Sequence, residues 1–221
     1  STSRRQRQMC IRDRYTTVDE ELQALVDAYY RDTSHFPTGK RGQPQSALVL
    51  LDPRTGDILA VAGGVGQKQG SRIQSYATDT RRPAGSAIKP LSVFAPAVER
   101  GLISCASVRE DEPVTTRHGT PWPHNADRLY RGRVTVSDAL AHSLNTVSVR
   151  LLYEVGMRNS LDFLRERLHM DGLVAPADGT AVDLTVSSLA LGQQSRGVTL
   201  RELTGAYTVS YTHLRAHETT L

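Results

Sequence analysis

The chain has 221 residues, is 38% hydrophobic and carries a formal charge of +4. That is enough apolar material for one sizeable core. It contains no run of about 18 apolar residues and no secretory leader pattern, so nothing in this sequence reads as a membrane span. The basic balance would suit a nucleic-acid partner, were the charge spread along the chain.

It is not. The first stretch, STSRRQRQMCIRDR, has no apolar period, and the last, VSYTHLRAHETTL, breaks off a helical pattern abruptly. Both resemble translations of sequencing-adapter DNA, so residues 1–14 and 209–221 are expected to be artefact. Removing five Arg and Asp13 from one end, and Arg215 and Glu218 from the other, leaves 21 basic and 21 acidic residues. At net zero the basic footprint of a nucleic-acid binder is gone, and no nucleic acid is expected. Cys10 leaves with the first stretch. Cys105 then stands alone, makes no disulfide or metal cluster, and is expected in the core.

Residues 15–45 are expected to be a helix and a linker. Thr16–Tyr30 reads as amphipathic, with Val18, Leu22, Leu25, Val26 and Tyr29 on one face. Pro37, Gly39, Gly42 and Pro44 mark a loop. Residues 46–208 follow as one partial domain. Ser46–Leu51 and Asp57–Ala62 flank Asp52-Pro53-Arg54-Thr55-Gly56, a β-hairpin signature. Both strands are nearly all apolar, which predicts a sheet covered on both faces. Gly63, Gly64, Gly66 and Gly70 lack the spacing of a phosphate loop.

SAIKPLSVFAPAVERG (86–101) reads as a mostly buried helix ending at Gly101. Ser104–Arg131 reads as an irregular excursion. Thr135 and Asp138 have capping-box spacing. Helices are predicted over Asn145–Tyr153, Ser160–Leu168 and Leu184–Leu191. Thr199 and Glu202 cap one more.

Two short motifs bear on chemistry. Ser86 and Lys89 stand at i and i+3, one face of a helix. A serine hydroxyl there would lie near free backbone N–H groups, and a lysine desolvated enough to lose its proton could activate it. The plain alternative is a serine cap and a snorkelling lysine. Ser143 and Asn145 stand two apart at a helix junction, where both could face one cleft, or could merely cap the adjoining helices. Trp122 and His124 suit loop packing better than a substrate groove. His35, His118 and His169 have no ligand spacing, and no metal or cofactor is expected. His142 diverges from Ser143 along the helix. Arg81 and Arg82 could serve the solvent edge or an anionic substrate.

The grouping SxxK with SxN belongs to penicillin-binding proteins and class A β-lactamases. The chain resembles the transpeptidase domain of a bifunctional (class A) penicillin-binding protein over nearly all of residues 15–208. YTTVDEELQ, ALVLLDPRTGDILAVAGG, RRPAGSAIKPL, WPHN with YRGRVTVSDALAHSLNTVSVRLL, and LALGQQSRGVTLRELTGAY carry the likeness, in order. The resemblance implies an α/β, serine β-lactamase/penicillin-binding-protein transpeptidase-like fold, a sheet flanked by helices. It implies Ser86 as the acylated nucleophile and Lys89, held mostly uncharged, as its general base. Ser143 would relay a proton, and Asn145 would position substrate. It implies peptidoglycan stem peptides and β-lactams as ligands. The parent would be anchored in a bacterial membrane, with this domain extracytoplasmic and a glycosyltransferase domain before it. A D,D-carboxypeptidase, a β-lactamase-type hydrolase and a non-catalytic penicillin-binding sensor are the alternatives. No K-T-G or K-S-G triplet occurs in the sequence. The fold is therefore expected to be incomplete at its C-terminal strands and this fragment to be inactive.

Overall fold

The computed structural model describes residues 15–40, 42–68, 70, 73–175 and 182–218, with side chains to residue 209. The first helix, α1 (Glu20–Arg31), starts later than its apolar pattern because Asp19 caps it, its carboxylate accepting from Leu22 N. Glu20 and Glu21 in the first turn suit the positive helix end. The buried face is rotated from the predicted one: Tyr30 is buried and Leu25 is 69% exposed. The reason is polar. Gln23 turns inward, its amide donating to Val61 O and accepting from Val61 N.

The hairpin forms as read, with shorter strands. β1 (Leu48–Leu51) pairs antiparallel with β2 (Ile58–Ala62). Gly56 takes the left-handed turn position at φ 78°, where glycine bears no Cβ penalty. The outer edge of β2 is covered by the entry to α1: Thr17 Oγ1 donates to Ile58 O, Asp19 N to Leu59 O, and Gln23 engages Val61. Exposed strand edges invite unwanted pairing, and this cover removes one. The expectation of a sheet buried on both faces is corrected. α1 packs on β2 and the helix Leu200–Glu218 on β1, yet the cover is partial: most strand residues are half-buried and Leu50 on β1 remains 37% exposed.

The predicted helix over 86–101 is three pieces: a 3-10 turn (Gly85–Ile88), a π-type turn (Pro90–Phe94) and α2 (Ala95–Glu99). Pro90 has no N–H for the carbonyl of Ser86, so Lys89 N takes that carbonyl in a tighter turn. The register then widens until Ala95 N reaches Pro90 O.

Ser104–Arg131 is more regular than expected. β3 (Val108–Asp111) pairs antiparallel with β6 (Gly132–Thr135), and β4 (Thr115–Arg117) with β5 (Thr120–Trp122). These strands have three or four residues each, too short to show a period of two. Cys105 is exposed, not in the core. Trp122 packs against the core with the Arg117 guanidinium 3.6 Å above its ring.

Thr135 caps α3 (Val136–Ala141), accepting from Asp138 N. α4 (Asn145–Val155) ends at Gly156, and α5 (Met157–Asp162) runs into a second π-type turn (Phe163–Arg167). Thr185 caps α6 (Val186–Leu191), and Thr199 with Glu202 caps α7 (Leu200–Glu218).

The core centres on α4, whose Val147, Val149, Leu151 and Leu152 are fully buried. It packs against α6, the 90–94 turn and α5. Each such aliphatic side chain contributes about 1.5–3 kcal/mol on burial. Small hydroxyls lock these helices together: Ser92 Oγ donates to Leu189 O, and Ser160 Oγ to Ser92 O. The segment that follows Ala84 is thus fixed to the core from its first turn onward.

Candidate active site

Gly85 and Ser86 lie on a turn braced from behind. Arg82 N donates to Val198 O, Val198 N to Arg82 O, and Gly85 N to Gly192 O. Gln194, 3% exposed, adds its side chain: Oε1 accepts from Ala84 N and Nε2 donates to Ser188 O. Gly192 cannot be anything larger, since a Cβ there would meet Gly85 O at 1.9 Å. From α7, Tyr207 Oη donates to Ala87 O at 2.7 Å. The loop 193–197 thus holds the turn that carries Ser86.

Ser86 is exposed, and its hydroxyl has no hydrogen-bond partner among the described residues. It does not cap the helix. The residue before the turn, Ala84, makes no side-chain cap either. Lys89 is the opposite: 1% exposed, and the largest of the fully buried side chains. It does not snorkel. Its Nζ donates to Ser143 O at 2.6 Å, Ser143 Oγ at 3.1 Å and Asn145 Oδ1 at 2.5 Å.

The Ser-Leu-Asn turn is shaped for this contact. Ser143 sits at φ 52°, a left-handed conformation rare for serine. That puts its carbonyl and its hydroxyl on the same amine. Strain of this kind costs about 1–3 kcal/mol and concentrates at functional sites. Asn145 is held on both sides. Its Nδ2 donates to His124 O at 2.6 Å, which leaves Oδ1 for Lys89. Neither residue caps α4, whose N-cap is Leu144 with no side-chain bond.

Burial pushes the Lys89 ammonium down from 10.5 to about 8. Three acceptors satisfy its three N–H groups, so the arrangement fits the protonated form. At pH 7 about a tenth of the amines would be free. The expectation of a mostly uncharged lysine is therefore corrected: with its titration near 8, the amine is largely charged at pH 7 and within reach of neutrality.

The structure brings Lys89, Ser143 and Asn145 together and leaves Ser86 one turn away with an open hydroxyl. Arg81, undecided from sequence, forms a two-point ion pair with Glu202. No group of three or more His, Cys, Asp or Glu among the described residues could hold a metal ion. Gln194, Tyr207, Asn125 and Asp111 were given no role by sequence reading, although the first three lie in segments that carry the family likeness. Each acts across 20 or more residues, or through a buried network, and no local period marks it.

A hydroxyl on a braced turn, a buried lysine and a strained Ser-Leu-Asn turn make up the constellation of serine acyl-transfer domains. The family model "Penicillin binding protein transpeptidase domain" matches residues 46–209, and the chain belongs to that family. Penicillin-binding protein 1A of Clostridium botulinum is 29% identical over 214 residues, matching 88% of this chain and 24% of the relative. That of Clostridium acetobutylicum is 30% identical over 205 residues, with the same coverage. The chain therefore spans about a quarter of the length of these relatives. The crystal structure of penicillin-binding protein 1A from Haemophilus influenzae is 30% identical with a TM-score of 0.60, covering 75% of this chain and 23% of that one. PonA1 from Mycobacterium tuberculosis with penicillin V shares the fold at 21% identity and a TM-score of 0.67, covering 88% and 50%. The fold expected from the motifs is the fold found.

Proposed function

We propose that this chain is the acylating part of a peptidoglycan D,D-transpeptidase, and that Ser86, Lys89, Ser143 and Asn145 carry the reaction. One observation supports it above the rest: a fully buried lysine, three residues after an open serine, hydrogen-bonded to both polar residues of the Ser-Leu-Asn turn. Membership of the transpeptidase family supports the substrate class.

The proposed steps join this geometry to the chemistry that membership of the family implies. The free Lys89 amine takes the Ser86 proton as Oγ attacks the carbonyl carbon of the penultimate D-alanine. The carbon–nitrogen bond to the terminal D-alanine then breaks. Its nitrogen takes a proton through Ser143 Oγ, which bonds Lys89 Nζ at 3.1 Å. An ester on Ser86 remains. An amine of a neighbouring stem peptide attacks it, an amide forms, and Ser86 recovers its proton. Asn145 keeps the lysine aimed and offers its amide to the peptide. β-Lactams enter at the first step, and the ring carbon–nitrogen bond takes the place of the scissile one.

The sequence has no K-T-G or K-S-G triplet, a segment that would supply an oxyanion donor and a carboxylate contact. Losing one oxyanion donor costs about 10²–10³ in rate. On that measure the acylation of Ser86 in this chain is slow. The whole protein is assigned to the extracytoplasmic side of a bacterial membrane with a glycosyltransferase domain. The naming of its relatives as penicillin-binding proteins 1A supports that assignment. No helix among the described residues is long and apolar enough to cross a membrane.

The test is prolonged exposure to a fluorescent penicillin, followed by peptide mapping. One adduct on Ser86, absent from Ser86→Ala, is expected. An adduct elsewhere, or none on Ser86, would overturn the assignment.

A further inference from the structure

α4 begins without a cap of its own. Leu144 occupies the N-cap position and has no side-chain acceptor for the free amides of the first turn. A residue from far earlier in the chain serves instead. Asn125 Oδ1 accepts from Asn145 N at 2.8 Å and lies 3.5 Å from Thr146 N. The other end of the same amide is equally engaged. Its Nδ2 donates to Asp111 Oδ1 at 2.7 Å and Leu129 O at 2.8 Å. With two acceptors on one side and two donors on the other, the amide fits in one orientation only.

Asp111 is 0% exposed. Besides Asn125 it accepts from Thr146 Oγ1 and from Arg131 N, and the Arg131 guanidinium lies 3.7 Å away. A buried carboxylate is weak support for stability, since desolvation opposes what its partners contribute. A fully satisfied buried network is instead a way to fix one geometry. What this network fixes is the residue that holds Lys89. The chain at 124–125 grips Asn145 twice, by the carbonyl of His124 and the side chain of Asn125. The third hold is Asn145 Oδ1 on Lys89 Nζ.

We propose that Asn125 and Asp111 are positioning residues of this site: Asn125 caps α4 and so sets where Asn145 aims its amide, and Asp111 fixes the orientation of Asn125. The proposal rests on the acyl-transfer reading for its purpose. Its geometry can be tested without turnover.

The chain has three lysines, Lys40, Lys68 and Lys89. Lysine labelled with ¹³C at Cε therefore gives few signals in NMR, and Lys89→Met identifies the one of interest. Loss of one hydrogen bond to the charged amine should lower its titration midpoint by about one pH unit. Asn145→Ala should do this directly. Asn125→Ala should do it through Asn145, so the double variant should shift no further than Asn145→Ala alone. An unmoved Lys89 midpoint in Asn125→Ala, or shifts that sum in the double variant, would overturn the proposal. A merely structural Asn125 would change the unfolding midpoint and leave Lys89 alone. Should Asn125→Ala fail to fold, Asn125→Ser retains a short acceptor. It should give a smaller shift in the same direction, again non-additive with Asn145→Ala, and no shift or additivity counts against the proposal. Penicillin mapping reports separately. Coupling without an adduct on Ser86 removes the acyl-transfer reading and keeps the positioning network, whereas an adduct without coupling does the reverse.

Discussion

Replacing Lys89 by methionine should make the protein's stability less dependent on alkaline pH, by an amount the structure sets. The folded lysine titrates at about 8, against 10.5 for the unfolded chain. Between those values the unfolded state binds more protons, so wild-type stability rises with pH across that window. Below pH 8 the buried charge opposes folding in full, and the gain is complete only above 10.5. Integrating from pH 7 to pH 9.5 gives about 2 kcal/mol, which Lys89→Met lacks. Methionine also strands the acceptors Ser143 O and Asn145 Oδ1, a cost that does not vary with pH. The diagnostic quantity is therefore the slope of the difference between the two proteins, not its sign at any one pH. Urea unfolding at half-unit steps from pH 7 to 9.5 reads it, and other titrating groups cancel in the difference. In melting temperature the effect is about 2–4 °C per kcal/mol for a chain of this size. A difference that stays flat across the range would refute the claim that burial lowers the Lys89 titration to about 8.

Two further outcomes follow from the surroundings of the site. Gly192→Ala drives a Cβ against the Gly85 carbonyl and places alanine at φ 73°. It should lower stability by roughly 2–4 kcal/mol in urea unfolding and slow acylation of Ser86. Ser143→Ala and Ser143→Gly both keep the carbonyl that Lys89 uses and lose the hydroxyl. Penicillin acylation should fall about 10²–10⁴-fold in each, while only the glycine relieves the strain at φ 52° and unfolds later by about 1 kcal/mol. Equal acylation in all three proteins would exclude a proton relay through Ser143.

Much of this molecule is legible without coordinates, and the pattern of success is physical. The hairpin follows from Pro53 and Gly56 between apolar runs, and two caps follow from Thr135 with Asp138 and Thr199 with Glu202. Those signals are local, so a single chain carries them. Ser86, Lys89, Ser143 and Asn145 were singled out by motif, and the meeting of Ser143 and Asn145 at the Lys89 amine needed the fold. What stayed hidden is non-local or short. Asn125 caps a helix 20 residues later, Gln194 reaches back to Ala84, and no period announces either. The strands around Asp111 span three or four residues, below the length at which alternation is readable. The charge on Lys89 was misjudged because sequence shows that a lysine is buried in an apolar run, but not that three acceptors meet it there.

The central claim is that the free amine of Lys89 activates Ser86. Its most direct test is the rate at which penicillin acylates Ser86, followed by mass spectrometry from pH 6 to pH 9.5. The rate should rise about tenfold per unit at low pH and level off near pH 8, where burial places the lysine. Lys89→Met should remove that rise. A rate independent of pH across this range, or a rise that survives Lys89→Met, would contradict the account.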